Sequence, residues 1–250
     1  SSTTSGTSNL RLGVNAGNSI ASGGNDNVLV GDNAGTGITT GDFNTAVGKK
    51  ALEADTLGRK SVAIGASALV AQNFTTATDS FNTAVGTFAG EAVTTGVQNT
   101  FIGGLAGTAI TTGIENVLVG YSTGDALTDA DFNVAVGRAA LSTDTLGSKS
   151  TAIGQGALNS QNFTTATDSH NTAVGFFAGL LLTTGVQNTL MGSLAGDALT
   201  DADNNTALGY LALSTNTLGS RATAIGSGAL STQNFGTATN SNNTAVGYDA

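Results

Sequence analysis

The sequence predicts an all-β fold, a parallel β-solenoid or β-roll of about 14 stacked coils of 17 residues, and three observations predict it. A five-residue phrase, NTAVG, stands at positions 44–48, 82–86, 171–175 and 243–247, and looser copies fill the intervals between them. Its glycine recurs at 13, 31, 48, 65, 86, 103, 120, 137, 154, 175, 192, 209, 226 and 247, with nine of the thirteen spacings equal to 17. The 250 residues hold 36 glycines and no proline, as a backbone that needs nearly every N–H as a hydrogen-bond donor requires.

Within the phrase, position four is always aliphatic, from Leu12 and Val30 to Ile225 and Val246. A strand of period two places position two on the same face, and that position is Thr nine times, Val four times and Leu once. This face is expected to point into the core. Position three faces the other way, yet it is Ala nine times, with Leu29, Phe101, Leu118 and Leu190 in four of the remaining five coils. Both faces of the strand are therefore apolar, and the outward one calls for a cover. The simplest cover is the same strand of a symmetry mate, which predicts a homotrimer, with a monomeric solenoid as the alternative.

Position one is Asn in eleven of fourteen coils, and the exceptions Ser61, Ser150 and Ala222 all lie in coils with an insert. Coils stacked at about 4.8 Å bring like amides into register, so Asn27, Asn44, Asn82, Asn99, Asn116, Asn133, Asn171, Asn188, Asn205 and Asn243 are expected to form a ladder. Asn also suits a turn conformation, and the two readings are compatible. Three residues past the glycine stands Ala in thirteen coils and Thr123 in one, followed by Gly or Leu wherever the chain continues. Eight past it, every 17-residue coil has Thr, from Thr39 to Thr217, which predicts a second short strand per coil. The three spacings of 21 each contain a QNF insert, at Gln72, Gln161 and Gln233, and each follows a DTLG or NTLG coil at Asp55, Asp144 or Asn216. This block recurs after 89 and then 72 residues, a trace of duplication, and predicts one continuous repeat region over 1–250. Fourteen coils would make an axis of about 65 Å.

SVAIG at 61–65, STAIG at 150–154 and NTAVG with its trailing Ala resemble the head repeats of trimeric autotransporter adhesins and similar repeats in phage tail-fibre proteins. The resemblance covers nearly the whole chain. It implies a left-handed parallel β-roll, three chains packed around a common axis, and an extracellular place on a cell surface or virion appendage. The chain departs from adhesin heads in its longer coils and its QNF inserts, and it shows no coiled-coil stalk or anchor. Beginning at Ser1 and ending inside a repeat at Ala250, it is expected to be part of a longer fibrous protein.

The expected function is that of a non-enzymatic structural or adhesive fibre segment, whose partners are copies of itself and a host-surface glycan or protein. A net charge of −9 with only 8 scattered basic residues speaks against nucleic acid, and no apolar run is long enough to span a bilayer. No cysteine and one histidine leave no thiolate metal site and make any Ser/His/Asp triad depend on His170, so no catalytic residue, cofactor or metal site is assigned. His170, with Asp168 two residues before it, sits in a freely varying slot ahead of position one. Tyr121, Tyr210 and Tyr248 directly follow the glycine, and with Phe176 and Phe177 they are the candidate ligand contacts. An alternative is an ice- or crystal-surface binder using the threonine columns. A third reading is a calcium-stabilised β-roll using Asp129 with Asp131 and Asp201 with Asp203, although two carboxylates fall short of the six to eight oxygens calcium takes.

Overall fold

The computed structural model describes residues 6–250, and among them there are strands and turns but no helix. The chain forms two compact units, one running to Ser122 and the other from Thr123. In the first, β1 (Leu10–Leu12), β2 (Val28–Val30), β3 (Thr45–Val47), β5 (Val62–Ile64), β7 (Thr83–Val85), β8 (Thr100–Ile102) and β9 (Val117–Val119) stack in that order as a parallel ladder. The second repeats this with β10 (Val134–Val136), β12 (Thr151–Ile153), β14 (Thr172–Val174), β15 (Thr189–Met191), β16 (Thr206–Leu208), β18 (Thr223–Ile225) and β20 (Thr244–Val246). Each phrase is one strand, and the register is residue on like residue, for example Thr45 on Val62, Ala46 on Ala63 and Val47 on Ile64. A parallel β-solenoid of 17-residue coils is the fold.

The second strand of each coil forms only where an insert occurs. There β4 (Gly58–Arg59) pairs with β6 (Thr78–Asp79), β11 (Gly147–Ser148) with β13 (Thr167–Asp168), and β17 (Gly219–Ser220) with β19 (Thr239–Asn240). Elsewhere among the described residues the Thr column is joined by isolated backbone bonds, such as Thr39 N–H to Thr56 O at 3.0 Å, which form no strand. In the insert the extra residues bulge outward at the exposed Thr75, Thr76 and Ala77, while the Phe74 ring turns inward.

The inward face is the reverse of the expected one. Position three is fully buried in Ala46, Ala63, Ala84, Phe101, Leu118, Ala135, Ala152, Ala173, Leu190, Ala207 and Ala224, whereas Ile64, Ile102 and Ile153 at position four are 38–41% exposed. Period two separated the faces correctly, but both are apolar, and hydrophobicity could not choose between them. Volume does. The interior of so small a coil admits one large side chain or two small ones, and the strand shares it with the residue four past the glycine. Leu29, Phe101, Leu118 and Leu190 face Gly35, Gly107, Gly124 and Gly196; Ala46, Ala63, Ala135, Ala152 and Ala207 face Leu52, Leu69, Leu141, Leu158 and Leu213. A Cβ on Gly35 would lie 2.7 Å from Leu29 Cδ2, and one on Gly107 would lie 2.6 Å from Phe101 Cδ1. Where both are small, as with Ala84 and Gly90, Phe101 and Leu69 of the adjacent coils lean into the space.

A second exchange involves the residue seven past the glycine. Coils with Gly at the fourth place bury an aliphatic at the seventh, as in Ile38, Val93, Ile110, Leu127, Leu182 and Leu199; coils with Leu at the fourth place put Asp55, Gln72, Asp144, Gln161, Asn216 or Gln233 there. Each coil thus has one of two core recipes.

The turns account for the glycines and the absent prolines. At Gly48, φ is +136°, and an added Cβ would come within 2.5 Å of the Gly65 carbonyl oxygen of the next coil, so the stacked phrase glycines leave room only for hydrogen. The residue before position one is left-handed in every coil, from Ser8 to Asn242, at a cost of about 1–2 kcal/mol for each non-glycine. That conformation turns its N–H back toward the preceding coil: Phe43 N–H donates to Asn25 O, Lys60 N–H to Asp42 O and Gln98 N–H to Ser80 O, at 2.7–3.1 Å. Neighbouring amides donate forward instead, as Thr45 N–H does to Ser61 O at 2.9 Å. A proline in either set would delete a link between coils.

Candidate functional site

The surface feature that recurs in every coil is the outward face of the phrase strands. Position two contributes Thr45, Val62, Thr83 and Thr100 in the first unit and Thr151, Thr172, Thr206 and Thr223 in the second, all half-buried. Position four lays a line of Val, Ile, Leu or Met beside them, with Met191 and Leu208 exposed by 40% and 45%. Within each unit the result is a Thr/Val column next to an aliphatic column, repeating at the strand spacing of about 4.8 Å. The interior is complete without this face, so its apolar area is left on the outside.

Exposed aromatic residues border the stripe. Tyr121, Tyr210 and Tyr248 follow the phrase glycine at its C-terminal edge and are all exposed. Phe176 takes the same place, and its ring centroid lies 4.0 Å from that of Phe177. At the opposite edge the left-handed slot carries Phe43, Phe81 and Phe132, with Lys60 Nζ 5.0 Å from the Phe81 ring centre. His170 occupies that slot and is exposed; Asp168 bonds Lys149 Nζ, as Asp79 bonds Lys60 Nζ.

The asparagines are buried behind this surface. Asn44 Oδ1 accepts the Ser61 N–H at 3.0 Å, and Asn44 Nδ2 donates to Gly58 O at 2.9 Å. Asn27, Asn82, Asn99, Asn133, Asn171, Asn188 and Asn205 repeat one or both bonds, the oxygen always accepting the position-one N–H of the following coil. Amide-to-amide contact is secondary, present as Asn116 Nδ2 to Asn99 Oδ1 at 3.1 Å and Asn205 Nδ2 to Asn188 Oδ1 at 3.1 Å. The column is thus a side chain-to-backbone ladder more than an amide stack. Asn243 is exposed and donates to Gln233 Oε1 at 2.6 Å.

The threonines eight past the glycine direct their hydroxyls along the coil stack. Thr39 Oγ1 donates to Thr56 O at 3.0 Å, and Thr94, Thr183 and Thr200 repeat the bond at 3.1 Å. Before an insert the acceptor becomes the Phe carbonyl, as in Thr145 to Phe163 O at 2.7 Å. The acidic pair Asp201 and Asp203 accepts from the protein itself, from Thr184 Oγ1 at 2.7 Å and Val186 N–H at 2.8 Å. Asp131 N–H donates to Ser148 Oγ at 2.9 Å, and Asp129 shares its turn. Among the described residues no three His, Cys, Asp or Glu side chains converge as a metal site, and no helix is long and apolar enough to cross a membrane.

One polar constellation was not anticipated from the sequence. Behind the first insert, Asp55 Oδ2 accepts Gln72 Nε2 at 2.6 Å and its Oδ1 accepts Gly58 N–H at 3.0 Å; Gln72 Nε2 also reaches Ser61 Oγ at 2.8 Å. Ser61 and Ser80 share a hydrogen bond of 2.6 Å, and Asn82 Nδ2 donates to Gln72 Oε1 at 2.8 Å. All five side chains are fully buried. Burial pushes the Asp55 carboxyl above its ordinary range, and the bonds from Gln72 and the backbone N–H groups offset part of that rise. Asp144, Gln161, Ser150, Ser169 and Asn171 reproduce the arrangement. The signal was present in the sequence: the coils that depart from Asn at position one are those that carry Gln at the seventh place, and the coil before each carries Asp or Asn there.

The chain matches no protein-family model, and no curated protein matches it significantly.

Proposed function

We propose that this chain is a segment of a non-enzymatic extracellular fibre, in which copies pack through their outward strand faces as a homotrimer and display the bordering aromatic residues for adhesion to a host glycan or protein. The observation that carries the proposal is the stripe of half-exposed Val, Ile, Leu and Met at position four, repeated in coil after coil over an interior that is already filled. A regular apolar strip is costly to leave in water and fits an identical strip on a symmetry mate. The likeness of SVAIG, STAIG and NTAVG to trimeric adhesin heads and tail-fibre repeats points the same way.

Sedimentation equilibrium tests it. The chain is expected at three times its 24.4 kDa mass, and Val85→Glu with Val174→Glu, which place a charge on each unit's stripe, should release monomers that keep their β-sheet circular dichroism. A parental chain that stays monomeric at tens of micromolar refutes the assembly. Replacing Tyr121, Tyr210 and Tyr248 with Ser should weaken adhesion without changing the oligomer.

One observation favours a second reading. Threonine at position two faces outward beside the aliphatic column, so a monomer would present a regular Thr-and-aliphatic array able to order water against ice or another crystal. The two readings compete for the same face, since a stripe covered by another copy cannot meet a lattice. A monomer with thermal hysteresis would select the second.

A further inference from the structure

We propose that the two complete buried polar clusters are register locks, which force neighbouring coils to stack in their proper order. A solenoid of near-identical phrases can misfold by looping out one coil and pairing the next. For β3 this would replace β5 with β7, and β7 is the better copy: Thr45–Ala46–Val47 matches Thr83–Ala84–Val85 residue for residue, whereas β5 reads Val62–Ala63–Ile64. The strand therefore carries no information against the slip. The asparagine ladder carries none either, because Asn44 Oδ1 accepts a backbone N–H that every residue type at position one supplies. Aliphatic cores such as Ile38, Val93 and Ile110 accept one another in any order.

The polar cluster breaks this degeneracy because its members come from three consecutive coils in a fixed sequence. Asp55 belongs to the first, Ser61, Gln72 and Ser80 to the second, and Asn82 to the third. If the second coil were looped out, Val93 would stand where Gln72 does, and the Asp55 carboxylate would be buried against a hydrocarbon without its amide donor. A buried polar group that is satisfied in one register alone penalises all the others. Filling the core does not require it, since the same protein fills seven other coils with the Gly-and-aliphatic recipe. Each unit holds one complete cluster, at Asp55–Asn82 and Asp144–Asn171, with bond lengths that agree within 0.1 Å: 2.6 and 2.6 Å for Asp–Gln, 2.8 and 2.8 Å for Gln–Ser, 2.6 and 2.6 Å for Ser–Ser, 2.8 and 2.9 Å for Asn–Gln. The third, built on Asn216, Ala222 and Gln233, has lost the carboxylate and a hydroxyl, and Gln233 Nε2 has no partner, so the lock is assigned to the first two alone.

The test converts both clusters to the recipe of the Leu29–Gly35–Ile38 coil in the full chain: Ala46→Leu, Leu52→Gly, Asp55→Ile, Ala63→Leu, Leu69→Gly and Gln72→Ile in the first unit, with Ala135→Leu, Leu141→Gly, Asp144→Ile, Ala152→Leu, Leu158→Gly and Gln161→Ile in the second. Register is read by cysteine pairs at outward position two, Thr45→Cys with Val62→Cys for the native neighbour and Thr45→Cys with Thr83→Cys for the skipped coil. Neighbouring strands lie about 4.8 Å apart, within disulfide reach, and strands two coils apart lie beyond it. Each chain is refolded from urea in oxidising buffer as a mixture of isotope-labelled and unlabelled protein, so that mass spectrometry counts intrachain links only. The parental chain should give the 45–62 link with 45–83 at background. The converted chain should recover its β-sheet signal with stability no lower than the parent, and its 45–83 link should rise at least ten-fold. A converted chain that refolds with 45–83 still at background overturns the proposal. So does one that loses its fold or stability, because the clusters would then be structural supports.

Discussion

Exchanging bulk between the strand and the turn opposite it tests which face of the strand is inside. Ala46 is fully buried and faces Leu52, also fully buried, whereas one coil earlier the same two places hold Leu29 and Gly35. Ala46→Leu alone adds three carbons to a filled site and should destabilise by about 1–3 kcal/mol. Leu52→Gly alone removes a buried leucine, at about 2–5 kcal/mol, with about 1 kcal/mol returned because φ at residue 52 is +52°. The double variant recreates the neighbouring Leu29–Gly35 pair, in which a Cβ at the glycine would stand 2.7 Å from the leucine, so each change removes the clash or void the other creates. A double-mutant cycle by urea unfolding should return a favourable coupling of about 1–3 kcal/mol. If position three faced outward, Ala46→Leu would shift stability by no more than about 0.5 kcal/mol and the two changes would add. Either result would refute the assignment of the core.

Three further outcomes are expected. Gly48→Ala meets a φ of +136° and the Gly65 carbonyl 2.5 Å from the new Cβ, so the variant should lose at least about 2 kcal/mol in chemical denaturation. Asn44→Ala orphans the Ser61 N–H and the Gly58 carbonyl, both inside the coil, and at about 1–3 kcal/mol per group should cost about 2–6 kcal/mol in the same assay. The raised pKa of Asp55 means that the fold favours its protonated form. Its contribution is therefore fully present below the ordinary carboxylate pKa of about 3.9 and is lost as pH rises through the folded value. Unfolding free energies measured from pH 4 to 7 should show the parent gaining on Asp55→Asn as pH falls, and a difference independent of pH would contradict the shift.

Recurrence made much of the fold legible in advance. A glycine every 17 residues, with Asn, Ala and Thr at constant offsets, can be satisfied by stacking in register, so the class, the coil length and the parallel ladder all follow from spacing. The second strand was over-read, because a Thr column joined by single bonds looks the same in sequence as one joined by a ladder. The polar clusters left a trace in Ser61, Ser150, Asp55 and Asp144, but only their burial gave those departures a meaning.

By itself the sequence determined the repeat, the stacking and the separation of alternate residues onto two faces, because these depend on periodicity, which a linear string displays in full. Only the tertiary structure decided which face is enclosed and where the unexpected carboxylates go. The reason is volume: Ala and Leu at position three differ in size, and their partner four residues past the glycine compensates, but two apolar faces are equivalent until the coil closes and just one of them has room for so little.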